Sequence, residues 1–220
     1  MERFRLDKES MALRAAKELE EGTCVNLGFG IPSLAANYIP EGKHITFQSE
    51  NGVVGYGEIT TAEEADWDLV NAMGQPVTLS PGISFVDHAE SFAMIRGGHV
   101  DVAVLGALQV SRKGDLASWA LPGCVGGMGG AMDLVMGVKK VIVTMTHTTS
   151  NGTPKVVKEC ELPLTGRACV DLLSTDVAVL RMTPRGMQIA EVAPGWTPDE
   201  VQKISGTELG VAADVSEISL

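Results

Sequence analysis

The chain has 220 residues, 45% of them hydrophobic and 20% charged, with a formal net charge of −11. That length and balance suit a single α/β domain over residues 1–220 with a sizeable core, and they exclude a disordered chain. The charge argues against nucleic acid as a partner, because phosphate binding needs a basic face. It also means that attraction of any anionic ligand is local or comes from another chain.

Cys24, Cys124, Cys160 and Cys169 form no C-x-x-C pair, and the four histidines are scattered. No zinc or iron–sulfur spacing is present, so no metal site is expected, and the thiols are expected to be free. The N-terminal "MERFRLDKES" has no apolar core of a secretory signal. No run approaches the ~18 apolar residues of a membrane span. No membrane partner is expected, and the expected compartment is the reducing cytoplasm.

In chain order, residues 8–21 read as a helix capped by Asp7 and ended by Gly22. "TCVNLGFG" is a buried-strand run reaching glycines, and Pro32 suits the first turn of a helix over about 32–38. "KHITFQ" is a strand that ends at Ser49-Glu50, and Asn51-Gly52 follows as a turn signal. "TAEEADWDLVNAMG" reads as a helix or part-helix stopped by Gly74, and "PVTLSPG" as a short strand. "DHAESFAMIRGG" is an amphipathic helix, "VDVAVLGALQV" a strand too apolar for an exposed edge, "GAMDLVMG" a short helix and "KKVIVTMTH" another buried strand. "DVAVLRMT" and "GMQIAEVA" pair around Pro184-Arg185-Gly186, and the chain from about Thr197 is helical and then loose. These elements predict an open, largely parallel sheet covered by helices on both faces, with a small antiparallel element near the C-terminus. Such sheets bind ligands at the carboxyl ends of their strands. Three strand ends are expected to meet there: after Asn26, after Glu50 and around residues 126–130.

Two glycine loops compete for attention. "GFGIPS" at 28–33 starts like the dinucleotide fingerprint G-x-G-x-x-G, and Glu50 lies about 20 residues on, where that fingerprint places a ribose-binding carboxylate. Ser33 at the third glycine position and Pro32 at the helix entrance count against it. "GGMGGAMDL" at 126–134 puts four glycines in five positions before a helix, a backbone suited to an anion or a developing oxyanion. It lacks the Lys-Ser/Thr of a nucleotide-triphosphate loop. His99 reads as a satisfied structural histidine, and no G-x-S-x-G elbow is present. On the residues alone Glu50 is a turn residue, a ribose ligand or a nucleophile. A nicotinamide-dependent oxidoreductase built on GFGIPS and a non-catalytic CoA- or sugar-phosphate-binding module stand beside the enzyme that follows.

"VNLGFGIP" (25–32), "FQSENGVVG" (47–55), "ESFAMIRGGHVDVAVLGALQV" (90–110) and "GMGGAMDL" (127–134) occur together and in this order. From about Met11 to about Glu191 the chain resembles the β subunit of the class I CoA-transferases, of the 3-oxoacid, butyrate–acetoacetate and 3-oxoadipate types. The resemblance implies that Glu50 is the catalytic nucleophile, and that Asn26, Gly28, Gly129 and Gly130 bind CoA or stabilise oxyanions. Asn51 and Gly52 then form the turn presenting the nucleophile. It implies ping-pong exchange through a γ-glutamyl-CoA thioester, with a CoA thioester as substrate and no tightly bound cofactor. The second substrate is a short-chain carboxylic acid of the acetoacetate, butyrate, acetate or succinate class, and "ITFQSENG" and "VDVAVLGALQV" lean toward butyrate, acetate and acetoacetate. No Gly-Gly-Phe of the companion half occurs here, so an α-subunit partner is implied, commonly as α2β2. Phe29 stands where a smaller aliphatic is usual. Cys124 stands where many relatives have lysine, and it is expected to be a small buried hydrophobe rather than a second nucleophile.

Overall fold

The structure, a computed structural model, describes residues 3–220, and for Val125 the backbone alone; Met1 and Glu2 of the charged N-terminal segment lie outside the described residues. In chain order, α1 (Lys8–Ala16) leads to β1 (Cys24–Leu27), a 3-10 helix (Ile31–Tyr38), β2 (Thr46–Gln48), β3 (Val53–Ile59) and β4 (Val77–Phe85). Next come α2 (His88–Arg96), β5 (Val102–Gly106), β6 (Gln109–Ser111), β7 (Leu116–Ala117), β8 (Ala120–Leu121), β9 (Cys124–Val125), α3 (Ala131–Gly137) and β10 (Lys140–Met145). The chain closes with β11 (Val156–Val157), β12 (Leu172–Thr175), β13 (Ala178–Thr183), β14 (Gly186–Val192), α4 (Pro198–Lys203) and β15 (Gly210–Glu217).

One ten-stranded sheet, ordered β15-β14-β13-β12-β10-β5-β1-β2-β3-β4, organises the molecule. Its middle, β12-β10-β5-β1-β2, is parallel throughout. The alternation of strand side chains builds two cores. Ala103, Leu105, Val141 and Val143 pack with Phe92 and Ile95 of α2 and Leu134 and Val135 of α3. Val102, Val104, Ile142 and Val25 pack with Ala15 and Ala16 of α1 and Ala35 and Ala36 of the 3-10 helix. Covering both faces explains why the central strands are continuous apolar runs. The helix starts are those that the side chains dictate: Asp7 caps α1 by accepting from Ser10 N–H at 2.8 Å, and Asp87 caps α2 by accepting from Glu90 N–H at 2.8 Å.

The expected antiparallel pair near the C-terminus is β13–β14, but β2–β3 and β3–β4 are antiparallel as well. Three local expectations are corrected. The first helix ends at Ala16 rather than near residue 21. Residues 61–74 form turns instead of a helix. There Asn71 Oδ1 accepts from the Met73 and Gln75 amides, Ser49 Oγ accepts from Ala72 N–H, and Asn51 Nδ2 donates to Val70 O. Side-chain bonds to backbone compete with the helical ladder at such sites. The expected loose tail is β15, which joins β14 in parallel. Its residues are exposed or half-buried, so no apolar alternation announces it; backbone pairing holds this edge strand.

Candidate active site

β2 ends at Gln48, and Ser49-Glu50-Asn51-Gly52 turns the chain back, closed by Gly52 N–H to Ser49 O at 2.9 Å. Gly52 has φ +106°, and a Cβ there would overlap the Val86 carbonyl oxygen, so the turn requires glycine. Val86 N–H donates to Gly52 O at 2.9 Å and Ser49 N–H to Val53 O at 2.8 Å. Asn51 Nδ2 reaches Val70 O at 2.7 Å. His88 Nδ1 lies 3.2 Å from Glu50 O, its ring tilted against Phe92 at 4.6 Å between centroids.

Beneath the turn runs a buried polar chain that sequence reasoning missed. Asn26 Nδ2 donates to Gln48 Oε1 at 2.7 Å and to Gln48 O at 3.2 Å. Gln48 Nε2 donates to Ser91 Oγ at 2.7 Å, and Ser91 Oγ donates to Ser49 O at 3.1 Å. Gln48 and Ser91 are 0% exposed. Buried polar groups are tolerated when satisfied in this way, and the result is a rigid base. The available signal was slight: a glutamine closing an apolar strand, and a serine on the apolar stripe of α2 next to Phe92.

The turn opens into a cleft of about 470 Å³ at the carboxyl edge of the sheet. Asn26 near the end of β1 and Gly28 just after it, Glu50 after β2, Gly106 at the end of β5 and the 127–130 glycine loop all line it, so the three expected strand ends do meet. Asn26 and Gly28 arrive with their donors engaged, the first to Gln48 and the second through its N–H to Val104 O at 2.7 Å. Gly129, with φ +57°, has open space where a side chain would stand. At Gly130 a Cβ would lie 2.6 Å from Glu50 Oε1 and 2.8 Å from Phe92 Cζ. The bare backbone is what lets the glycine loop close on the carboxylate.

Glu50 is half-buried, and desolvation raises its pKa above the ordinary carboxylate value. A hydrogen bond from the Gly130 backbone N–H and the nearby His88 pull it down, while Asp133 adds to the rise. Among the described residues lining the cleft, Glu50 is the only ionisable side chain. Burial pushes the Cys24, Cys160 and Cys169 thiols up to about 11, so they stay neutral. Cys124 is exposed, contrary to the expected buried hydrophobe, because it sits in the small β8–β9 hairpin outside both cores; it does not line the cleft. His99 is likewise exposed rather than packed, in the turn between α2 and β5, at the opposite end of β5 from the cleft. Among the described residues no group of three or more His, Cys, Asp or Glu is arranged to hold a metal, and no helix is long and apolar enough to cross a membrane.

The dinucleotide reading of GFGIPS fails here. Gly28 N–H is given to the sheet, and Gly30 leads into a 3-10 helix rather than an α-helix whose amino end could hold a pyrophosphate.

The fold sets a cleft with one carboxylate at the carboxyl edge of its sheet, and comparisons with known proteins say which family shares it. The family model for coenzyme A transferase matches residues 8–203. The chain is 48% identical over 210 residues to the beta subunit of acetate CoA-transferase from Escherichia coli (strain K12), covering 95% of this chain and 96% of that one. It is 49% identical over 207 residues to the B subunit of 3-oxoadipate CoA-transferase from Pseudomonas putida, covering 93% and 97%. It is 49% identical over 205 residues to the B subunit of succinyl-CoA:3-ketoacid coenzyme A transferase from Helicobacter pylori (strain ATCC 700392 / 26695), covering 93% and 99%. Among solved structures, an acyl-CoA transferase from Escherichia coli O157:H7 superposes with TM-score 0.78 at 20% identity, over 98% of this chain; this chain spans 45% of that longer one. Glutaconate coenzyme A-transferase from Acidaminococcus fermentans matches with TM-score 0.68 at 18% identity, over 99% of this chain and 91% of that one. The chain belongs to the coenzyme A transferase family, as a β subunit of the class I type. The decarboxylase AibA/AibB shares the fold, with TM-score 0.69 at 18% identity, over 97% of this chain and 89% of that one, so the fold alone does not define a reaction.

Proposed function

We propose that the chain, paired with an α subunit, moves CoA between an acyl-CoA and a short-chain carboxylic acid of the acetoacetate, butyrate, acetate or succinate class, with Glu50 as nucleophile. The observation that carries this reading is that Glu50 is the single ionisable group lining the cleft among the described residues. Hydrolysis and most acyl transfers need a base beside the nucleophile. Carboxylate-based CoA exchange needs none, because every nucleophile in it is already an anion.

The Glu50 carboxylate attacks the thioester carbonyl, and the C–S bond breaks to leave a mixed acyl-glutamyl anhydride and CoA thiolate. The thiolate attacks the γ-carbonyl of Glu50, forming the γ-glutamyl-CoA thioester and releasing the first acid as its carboxylate. The incoming carboxylate attacks that thioester, giving a new anhydride and free thiolate. The thiolate then attacks the new acyl carbonyl, producing the second acyl-CoA and regenerating the Glu50 carboxylate. One negative charge is carried through each step and no proton moves; ping-pong kinetics follow because the first acid leaves before the second meets the covalent γ-glutamyl-CoA thioester. The raised pKa of Glu50 suits a partly desolvated, more reactive anion, and the bare backbone of Gly129 and Gly130 beside it supports our assigning their N–H groups as the donors to the oxyanion of each tetrahedral intermediate. CoA enters as a substrate, with no tightly bound cofactor. The names of the relatives, each a beta or B subunit, support an α partner, which we take as α2β2 in the cytoplasm.

The test is intact mass of the α/β complex incubated in turn with acetyl-CoA, butyryl-CoA and succinyl-CoA without an acceptor. A CoA adduct on the peptide holding Glu50 is expected. Glu50→Gln is expected to abolish adduct and exchange, on the order of 10⁵-fold or more, while Tm stays level or rises because a desolvated charge is gone. Full exchange activity in Glu50→Gln overturns the mechanism.

A further inference from the structure

Relatives at 48–49% identity carry names for acetate, 3-oxoadipate and succinyl-CoA:3-ketoacid transfer, so overall identity does not separate an uncharged acyl tail from one ending in a second carboxylate. The chemistry of the cleft wall does. Around Glu50 the wall is built from Leu27, Met73, Leu105, Leu108 and Leu134, with Trp119 beside them. No lysine, arginine or histidine lines it among the described residues.

The neutral polar groups of the wall are already engaged with the protein. The Asn26 side-chain amide donates to Gln48. The Ser118 hydroxyl is bonded to Thr165 Oγ1 at 2.7 Å, and Trp119 Nε1 donates to Leu164 O at 3.3 Å. A carboxylate at the far end of an acyl group would therefore leave water for a wall with no cationic side chain to pair with it among the described residues. It would also approach the ionised Glu50 in the same cleft. Burial of an unpaired charge is strongly unfavourable, whereas a methyl terminus gains from the same surface.

We infer that this chain's half of the acyl site selects short monocarboxylic acids with an uncharged tail and rejects dicarboxylic acids of the same length, with Met73 and Leu108 as specificity-determining residues. The inference rests on the transferase reading above. Met73 and Leu108 are half-buried rather than core residues, so either side chain can be exchanged without opening one of the two cores.

The experiment compares butyrate with succinate, two four-carbon acids, as acceptors for the purified α/β complex charged with acetyl-CoA. A kcat/KM ratio favouring butyrate by about 10²-fold or more is expected, since an unpaired buried charge discriminates more strongly than a methylene. Met73→Arg and Leu108→Arg are each expected to move that ratio toward succinate by about tenfold or more, with the butyrate rate falling. Succinate used as well as or better than butyrate by the unaltered complex overturns the inference, and this arm stands even if an arginine variant fails to fold. A complex that forms the Glu50 adduct yet prefers succinate overturns the specificity alone. One that forms no adduct and exchanges neither acid overturns the transferase reading and the specificity with it.

Discussion

Two clefts of nearly equal size open at opposite edges of the sheet, about 470 Å³ around Glu50 and about 500 Å³ around Arg112, Lys113, Lys158 and Arg185. The second lies at the amino edge. β13 runs antiparallel to β12, so its end at Thr183 and the Pro184–Gly186 turn sit beside the start of β12, where Met182 N–H donates to Asp171 O at 3.0 Å. Four strands separate β2 from β13, about 24 Å at ~4.8 Å per strand spacing. In a chain with net charge −11, four convergent cations would look like the natural place for an anionic substrate. Yet those cations stand on exposed side chains at turns, with Glu159 among them. The single carboxylate of the other cleft stands on a glycine-locked turn over a buried hydrogen-bonded base. Charge attracts, but a braced geometry is what lets a group react.

The contrast breaks most sharply at Gly130. Gly130→Ala places a methyl 2.6 Å from Glu50 Oε1 and 2.8 Å from Phe92 Cζ, so loop and carboxylate must part. Steady-state exchange is expected to fall about 10²- to 10³-fold, the size of a lost oxyanion donor, while thermal melting moves little. Retained activity would mean that the loop is no part of the reacting geometry. The next test removes the brace and leaves Glu50 in place. Gln48→Leu leaves the Asn26 amide only its longer bond to the residue 48 carbonyl and breaks the bond to Ser91. About 1–3 kcal/mol of stability is expected to go with the unsatisfied groups, lowering Tm by several degrees at ~2–4 °C per kcal/mol. The kcat should drop about tenfold with KM for acyl-CoA nearly unchanged; a change confined to Tm would reduce the network to a purely structural one. The smallest effect belongs to the other edge. Lys158→Ala combined with Arg185→Ala is expected to leave exchange within about twofold, measured at low ionic strength where screening is weakest. A tenfold loss there would show that the basic cleft takes part in the reaction.

Glu50 illustrates how far the linear chain reaches. Asn51-Gly52 announces the turn, and the apolar run before it announces the strand end, because both are properties of adjacent residues. The resemblance then implied a role for it. Gln48 and Ser91 escaped notice because their partners lie 22 and 43 residues away, and a polar residue on an apolar stripe looks like noise until the partner is in place. Residues 61–74 were misread for a related reason. Their composition permits a helix, and bonds to Ser49 and Asn51 from another part of the chain, with the local bonds of Asn71, turn them into a support for the turn that holds Glu50.

The sequence by itself determined the helix cap at Asp7, the continuous apolar strands that require a sheet covered on both faces, and the acid standing before Asn-Gly, since each follows from neighbours within a few residues. Tertiary structure decided the strand order, the edge pairing of β15, the exposure of Cys124 and His99, and the closure of the glycine loop on Glu50. It also decided that, among the described residues, the walls of the cleft are uncharged except at that residue. Those features depend on which distant backbones meet, and the free energy that selects them is the joint burial of two cores rather than any local preference.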